Sequence, residues 1–170
     1  MSVILTTERL VLRQPLEKDF AASVAFWASE RSHMMGGPWT EDTTRTEYDD
    51  IQRQWQKHGF SLFAVTFKQS DDILGLIGPF YPDSHPEPEL GWSLWDVTLE
   101  GKGIAWEAAI ATRDWFFANT TYRTAVSYTD PLNHRSHRLC ERMAAVVDPT
   151  AACPYPEPNR IYRHHAGVAA

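Results

Sequence analysis

Residues 90–109 read LGWSLWDVTLEGKGIAWEAA and join a strand-like segment to a helical one. The apolar run at 90–95 is typical of a strand, and the alanine-rich run from Ile104 is typical of a helix. Between them, Gly101 and Gly103 permit left-handed backbone angles and carry no Cβ that could obstruct a ligand. The stretch therefore predicts a strand, a turn that a ligand can approach closely, and a helix.

The turn has the properties of an anion site. If a helix begins at Ile104, the N–H groups of its first turn have no partner inside the helix. Together with the N–H groups of residues 101–103 they form a concave row of donors at the positive end of the helix dipole, and Lys102 adds a cation. A Gly-x-Gly turn can also simply reverse the chain. The turn matches neither G-x-x-x-x-G-K-[ST] nor a complete G-x-G-x-x-G, which disfavours a nucleoside triphosphatase and a dinucleotide enzyme.

The segments before this stretch predict one strand, two helices and a β-hairpin. Alternation over 8–13 indicates a strand, and residues 17–29 form a helical pattern whose expected buried side chains are Phe20, Val24, Trp27 and Ala28. A loop at 34–39 leads to a second helix, which starts after an N-cap at Thr40 and ends near 58, before Gly59. Its apolar stripe consists of Tyr48, Ile51 and Trp55. Residues 60–67 and 73–78 read as paired strands around a polar turn.

The remaining segments complete an alternating pattern. A proline-rich loop precedes the strand at 89–95, and the helix at 104–118 is followed by a strand at 124–128, a helix at 133–144 and a last strand at 160–164. The order is strand, two helices, three strands, helix, strand, helix, strand, which predicts a mixed α/β fold. With no internal repeat or flexible linker, residues 1–170 are expected to form a single domain.

Composition excludes several classes of protein. The chain has 170 residues, 43% apolar and 22% charged, with no hydrophobic stretch long enough for a membrane span. Its net charge of −6 disfavours nucleic acid as a partner. The opening MSVILTTERL does not read as a signal peptide, and only Cys140 and Cys153 are present, so a cytoplasmic location is expected. The pairs His164/His165 and His134/His137 could bind an ion, but such pairs are more often solvated, and no metal is expected.

Four motifs in order resemble the GNAT superfamily of acyl-coenzyme A N-acyltransferases, most closely its ribosomal-protein N-terminal acetyltransferase-like branch. They are TERLVLR at 7–13, ELGWSL with EGKGIAWEA at 89–108, DPLNHRS at 130–136 and IYRH at 161–164. The resemblance implies a mixed, centrally splayed β-sheet flanked by helices and acetyl-CoA as the acyl donor. It spans most of the chain.

The resemblance also implies a set of donor-binding residues. The pyrophosphate of coenzyme A would be held, mainly by backbone N–H groups, at Gly101, Lys102, Gly103, Ile104 and Ala105. The pantetheine arm would run along the backbone of Trp92, Ser93, Leu94 and Trp95. Asn133 and Ser136 would line the far side of the channel. Asn133 after Asp-Pro is also a sound helix N-cap, so both roles remain open.

Three positions depart from the pattern of the family. Glu100 stands where the loop usually begins with Gln or Arg, and its carboxylate would repel phosphates unless it points outward. Cys140 stands where many members have a proton-donating tyrosine, and Ala144 replaces the usual glycine. The proton donor is therefore open: the hydroxyl of Ser136 or Tyr128 could protonate the leaving thiolate, and Cys140 could too, although a cysteine on the apolar side of a helix is more often core packing.

Acetyl transfer to an amine needs a base, an oxyanion donor and a proton for the sulfur. Glu89 is the first candidate for the base, with Asp83, His85 and Glu87 as rivals, and a backbone N–H of the splayed strand would bind the oxyanion. The predicted function is an N-acetyltransferase that acts on the primary amine of a protein N-terminus or small molecule, in a direct ternary complex. The alternatives are a non-catalytic coenzyme A sensor and an unrelated phosphate-binding α/β module.

Aromatic residues of the first two helices have two interpretations. Trp27, Trp39 and Trp55, with Met34 and Met35, fall where the family forms its acceptor groove. Aromatic residues at helical spacing are more often core.

The sequence does not choose between a monomer and a homodimer.

Overall fold

The computed structural model describes residues 3–168. Its strands are β1 (Ile4–Thr6), β2 (Leu10–Arg13), β3 (Phe63–Phe67), β4 (Gly75–Phe80), β5 (Glu89–Leu94), β6 (Thr124–Thr129), β7 (Val146–Val147) and β8 (Arg160–His165). Its helices are α1 (Phe20–Trp27), α2 (Glu41–His58), α3 (Ile104–Asn119) and α4 (His134–Arg142), with 3-10 turns at Glu17–Asp19, Glu30–Met35 and Val97–Leu99. The predicted order of elements is confirmed, with the short edge strands β1 and β7 added.

The strands of this region form one sheet in the order β1-β2-β3-β4-β5-β6-β8-β7. Alternate side chains of β2, β3 and β4 point to one face and build its core, where Leu12, Phe63, Val65 and Ile77 are fully buried. Helix α3 packs against β4 and β5. No helix within residues 3–168 combines the length and the apolar character needed to cross a bilayer.

The sheet divides between β5 and β6. Strand β5 pairs with β4 over its whole length, antiparallel, from Glu89 opposite Phe80 to Leu94 opposite Gly75. Its parallel pairing with β6 is confined to Glu89 opposite Val126. Beyond that point the two strands separate, and their backbones are no longer bonded to each other. The predicted mixed, centrally splayed sheet flanked by helices is confirmed.

The second helix follows its sequence signals closely. The Thr40 side chain accepts a hydrogen bond from the Thr43 N–H at 3.2 Å, and Gly59 ends the helix with a φ of 77°. Tyr48, Ile51 and Trp55 are buried as expected. Local signals suffice here because caps and apolar spacing act within one or two turns.

The predicted buried face of the first helix is confirmed for Phe20 and wrong for Val24, Trp27 and Ala28. Its buried residues are Phe20, Ser23 and Phe26, whereas Val24 and Trp27 are half-buried and Ala28 is exposed. The short helix turns Phe26 toward the sheet, where its ring stacks on Trp95 at 5.6 Å between centroids. An apolar stripe alone does not decide the orientation, because most positions of this helix are apolar.

Candidate functional site

The turn before α3 presents backbone donors without partners. Gly101 and Gly103 have φ values of 73° and 78°, and Gly103 is the N-cap of the helix. The first helix N–H with a well-formed bond is that of Glu107, to the Gly103 carbonyl at 3.0 Å. Within the described chain, the N–H groups of residues 101–106 make no comparable bond. This row of donors at a helix N-terminus can bind an anion.

An ion pair from the N-terminal motif holds the turn in place. The Arg9 side chain donates to Glu107 Oε2 at 2.7 Å and to the Lys102 carbonyl at 3.0 Å. The Thr7 hydroxyl and the Arg9 N–H both donate to Glu107 Oε1, at 2.5 and 2.9 Å. Burial raises the pKa of Glu107, but these hydrogen bonds and the Arg9 charge together hold it below its ordinary value. The TERLVLR motif at 7–13 therefore positions the turn at 101–103.

The side chains of the turn differ in how far they are buried. Ile104 is buried in the core and Ala105 is half-buried, so both offer a ligand mainly their backbone. Lys102 is exposed beside the turn. A Cβ added at Gly101 would meet nothing within 4 Å, so the space beside the turn is open. These features fit the diphosphate that the family resemblance implies for this turn.

Strand β5 lines the cleft with two of its residues. The register places the backbone polar groups of Trp92 and Leu94 toward β6, on the side where the strands have separated. Those of Ser93 and Trp95 face β4, and the Trp95 N–H donates to the Leu74 carbonyl at 2.9 Å. The backbone of Trp92 and the N–H of Leu94 can therefore meet a ligand in the cleft, whereas the Leu94 carbonyl accepts from Arg31 and the N–H of Trp95 is used by the sheet.

A serine and a histidine mark the point where the sheet divides. The Ser127 hydroxyl donates to the Leu90 carbonyl at 2.6 Å, in place of the next backbone bond between β5 and β6. His164 Nε2 lies 2.9 Å from Ser127 Oγ and donates to it, because the serine proton is already used. Burial lowers the pKa of His164 to about 3, so its ring is neutral. Its Nδ1 is buried without a partner in the described chain.

This buried histidine makes stability depend on pH. The pKa of His164 is lower in the folded protein than in the unfolded chain, so below about pH 6.5 the unfolded chain binds a proton that the folded protein does not. The contribution of the neutral ring to the free energy of unfolding is therefore fully present above about pH 6.5 and is lost as the pH falls toward 3. The loss is about 1.4 kcal/mol per pH unit. In His164→Gln an amide N–H can still donate to Ser127, but nothing titrates. Urea unfolding should show the stability difference from wild type shrinking between about pH 6.5 and 4.5. A constant difference would contradict the neutral, buried ring.

The histidine pairs do not converge on an ion. His164 is buried and His165 exposed, since neighbours on a strand face opposite sides. The His134 and His137 rings are 5.6 Å apart, and His137 Nε2 lies 3.1 Å from the Asp130 carbonyl oxygen. Among residues 3–168, no three His, Cys, Asp or Glu side chains gather in a metal-binding group.

Helix α4 forms the far wall of the cleft. Asn133 Oδ1 accepts from the Ser136 N–H at 3.2 Å and caps the helix, which leaves its amide NH₂ for other partners. Ser136 Oγ accepts from Trp92 Nε1 at 3.1 Å, so its own proton remains available. Cys140 is fully buried beside Ala145 and Tyr162, and burial raises its pKa to about 12. After this helix, Ala144 adopts a φ of 57°, the conformation that favours glycine.

A carboxylate lies in a buried polar cluster where β5 begins. Glu89 is only 6% exposed, and its Oε2 lies 3.1 Å from His85 Nε2 and 3.4 Å from the Tyr155 hydroxyl. Burial raises the pKa of Glu89 above its ordinary value, and hydrogen bonds from His85 and Tyr155 partly oppose this. The pKa of the Glu89 carboxylate therefore lies closer to neutral pH than the pKa of an exposed glutamate.

The rivals of Glu89 have other partners. Glu87 receives two bonds from Arg163, at 2.6 and 2.9 Å, and Asp83 pairs with Lys57. His85 belongs to the Glu89 cluster itself. Tyr128 lies on the same face, because Val126 is opposite Glu89 and side chains two residues apart point the same way.

The hydroxyl of Tyr128 is committed elsewhere. It donates to the Ala152 carbonyl at 2.9 Å, and burial raises its pKa further above neutrality. A proton transferred from this half-buried tyrosine would leave a phenolate close to the carboxylates of Glu89 and Glu87, which raise its pKa.

The aromatic residues of the first helices separate into core and surface. Trp55 is 6% exposed and its ring contacts Phe63 in the core. Trp27 and Trp39 stack with centroids 3.7 Å apart, and both are half-buried. Met34 is 45% exposed nearby in the chain. Trp55 is therefore core, and the Trp27/Trp39 stack remains a candidate wall for an acceptor.

Two residues of these sites carried no sequence signal. Tyr155 reaches Glu89 from the irregular loop between β7 and β8, 66 positions away. Arg31 donates to the Leu94 and Trp95 carbonyls, at 3.0 and 3.1 Å, from a 3-10 turn that begins between the predicted helix at 17–29 and the predicted loop at 34–39. The role of Arg9 in holding the turn had one sequence signal, its place inside the TERLVLR motif.

Comparisons with known proteins agree with this geometry. The acetyltransferase (GNAT) domain family matches residues 9–146. An acetyltransferase from Agrobacterium tumefaciens str. C58 is 37% identical, with a TM-score of 0.91 over 96% of this chain and 94% of that one. A GNAT acetyltransferase from Bacillus anthracis is 24% identical, with a TM-score of 0.73 over 95% and 96%. A ribosomal-protein-S5-alanine acetyltransferase from Vibrio fischeri is 18% identical, with a TM-score of 0.70 over 97% of each chain, and shares the fold.

Proposed function

Because the chain belongs to the GNAT acetyltransferase family, we propose that it transfers an acetyl group from acetyl-CoA to a primary amine, by direct attack in a ternary complex. The observation that carries the proposal is the row of unpartnered N–H groups at 101–106, next to a cleft lined by strand backbone. A diphosphate satisfies such donors, and a pantetheine arm has amides that can pair with a free strand edge.

The donor site uses mainly backbone. Residues 101–105 would bind the pyrophosphate, while the backbone of Trp92 and the N–H of Leu94 would bond to the pantetheine amides. The Asn133 amide NH₂ is available to the same arm from the far wall. Acetyl-CoA supplies an activated thioester, so no covalent enzyme intermediate is needed.

The Glu89 cluster has the properties of a general base. Terminal amines have pKa values of about 8 and lysine about 10, so most are protonated at neutral pH and must lose a proton before attack. A carboxylate whose pKa is raised by burial accepts that proton more readily, directly or through water. Such a base typically contributes about 10²-fold or more in rate.

Two further groups complete the chemistry. The Trp92 N–H points into the cleft near the point of division and would donate to the negative charge that develops on the thioester oxygen. Ser136 is favoured over Tyr128 as the proton donor to the thiolate. The Ser136 hydroxyl accepts from Trp92 and keeps its proton, whereas the Tyr128 proton is bonded to the Ala152 carbonyl.

The acceptor is proposed as a protein N-terminus or a small amine. The Vibrio fischeri relative is named for the alanine of ribosomal protein S5, which supports the first of these. The net charge of −6 favours a cationic acceptor over nucleic acid. We further propose a single domain over 1–170 that acts in the cytoplasm as a monomer or homodimer. Cys140 and Cys153 are both free thiols, which suits a reducing compartment.

A panel of amines with acetyl-CoA tests the proposal by release of free thiol. Release above hydrolysis with at least one amine supports the enzyme. Cofactor binding with no release on any amine favours the non-catalytic sensor. No thermal shift with acetyl-CoA would favour a phosphate-binding module and overturn the proposal.

A further inference from the structure

Two arginines from different elements hold Glu100 at the entrance of the cleft. Arg31 Nη2 lies 2.9 Å from Glu100 Oε1, and Arg135 Nη1 lies 2.5 Å from Oε2. The Glu100 side chain is 24% exposed, so each of its oxygens has a cationic partner at a partly buried position. Glu100 directly precedes the row of free N–H groups that begins at Gly101. The position where the family usually has Gln or Arg is therefore a carboxylate with two guanidinium partners.

The connections of the sheet place this pair across the entrance. The cleft between β5 and β6 opens toward the C-terminal ends of these two parallel strands, since their pairing stops at Glu89 opposite Val126. Glu100 lies on the connection that leaves β5, and Arg135 lies in the first turn of α4, on the connection that leaves β6. A bond between the two side chains links the two sides of the cleft at its open end.

The two arginines differ in how firmly they are held. Arg31 also donates to the Leu94 and Trp95 carbonyls, and its side chain is 32% exposed. The Arg135 side chain is 70% exposed and has Glu100 as its one ion-pair partner within the described residues. An exposed ion pair of this kind contributes about 0–1 kcal/mol, so Arg135 can leave Glu100 at small cost.

We propose that Arg135 is a phosphate ligand of the acyl donor and that Glu100 holds it across the entrance until the donor arrives, a role that rests on the proposed function. The diphosphate of coenzyme A carries two negative charges on its unbridged oxygens, one more than a carboxylate, so the guanidinium exchanges Glu100 for the diphosphate. Arg31 stays with Glu100 and partly neutralises it next to the bound anion. Glu100 thus lowers donor affinity, because each binding event must break one ion pair and place a phosphate near a carboxylate.

The substitution Glu100→Gln tests this role by titration calorimetry with coenzyme A and with pantetheine, which has no phosphate. Removal of the competing carboxylate should tighten coenzyme A binding by roughly threefold to tenfold and leave the affinity for pantetheine unchanged. Arg135→Gln should weaken coenzyme A binding several-fold, and the loss should be larger when Glu100→Gln is also present. The control Glu17→Gln makes the same charge change at the remote Glu17–Arg45 pair and should change neither affinity.

The results separate this role from the proposed function. Weaker or unchanged coenzyme A binding in Glu100→Gln, with a thermal unfolding midpoint like that of wild type, would overturn the role of Glu100. Unchanged binding in Arg135→Gln would overturn the phosphate contact. Either result leaves the proposed function intact if wild type binds coenzyme A. Failure of wild type to bind coenzyme A would overturn both.

Discussion

The substitution Gly103→Val is expected to weaken acetyl-CoA binding by about 100-fold. Gly103 has a φ of 78°, where an L-residue costs about 1–2 kcal/mol and a β-branched side chain costs more. The backbone relieves this strain by rotating, which turns neighbouring N–H groups out of the row. Hydrogen bonds to a charged group contribute about 1.5–3 kcal/mol each, so the loss of one or two gives this change in affinity. Calorimetry with acetyl-CoA measures it.

A matched control separates the loss of the site from the loss of stability. Gly59 ends α2 with a φ of 77°, and a Cβ there would meet nothing within 4 Å. Gly59→Val therefore introduces the same backbone strain outside the turn and should lower the unfolding midpoint without changing acetyl-CoA affinity. A folded Gly103→Val protein that binds acetyl-CoA as wild type does would remove the turn from the donor site.

The substitution Glu89→Gln is expected to lower kcat by about 10²-fold near neutral pH, with little change in the KM for acetyl-CoA. The amide keeps hydrogen-bonding partners in His85 and Tyr155 but cannot accept the proton of the amine. Burial raises the pKa of Glu89, and a base acts only when it is deprotonated. The wild-type rate should therefore fall as the pH drops through that pKa, and the rate of the variant should not show this decrease. Initial rates across the pH range measure both effects.

Two comparisons sharpen this test. Glu87→Gln changes the neighbouring carboxylate, which is bonded to Arg163, and should leave kcat near the wild-type value even if stability falls. An acceptor amine with a pKa below about 7 is largely neutral already, so Glu89→Gln should reduce its rate much less. Equal losses with both kinds of amine would exclude Glu89 as the base and leave it a structural role.

Local features of the chain were predictable to different degrees. The cap at Thr40, the end at Gly59 and the turn at 101–103 followed from the sequence, because each acts through the backbone of a few neighbouring residues. The buried face of α1 did not, because nearly every residue there is apolar and only the partner surface selects among them. Strands β1 and β7 have three and two residues, too few for a visible alternation.

The site was predictable in part for the same reason. The turn proposed to bind the acyl donor lies within one contiguous motif, and Glu89 was selected from its place at the start of the central strand. Its partner Tyr155 was invisible, since it comes from an irregular loop. The proposed preference for Ser136 over Tyr128 also came from the structure, because it depends on which hydroxyl proton is already bonded.

The sequence by itself determined the order of elements and the glycine-bracketed turn, since periodicity and backbone freedom are properties of neighbouring residues. The tertiary structure alone decided which side chains meet: Arg9 holds Glu107 from 98 positions away, and Arg135 meets Glu100 across the open cleft. Such pairs depend on how the strands pair and separate. No local pattern encodes that geometry, because it follows from the packing of the whole sheet.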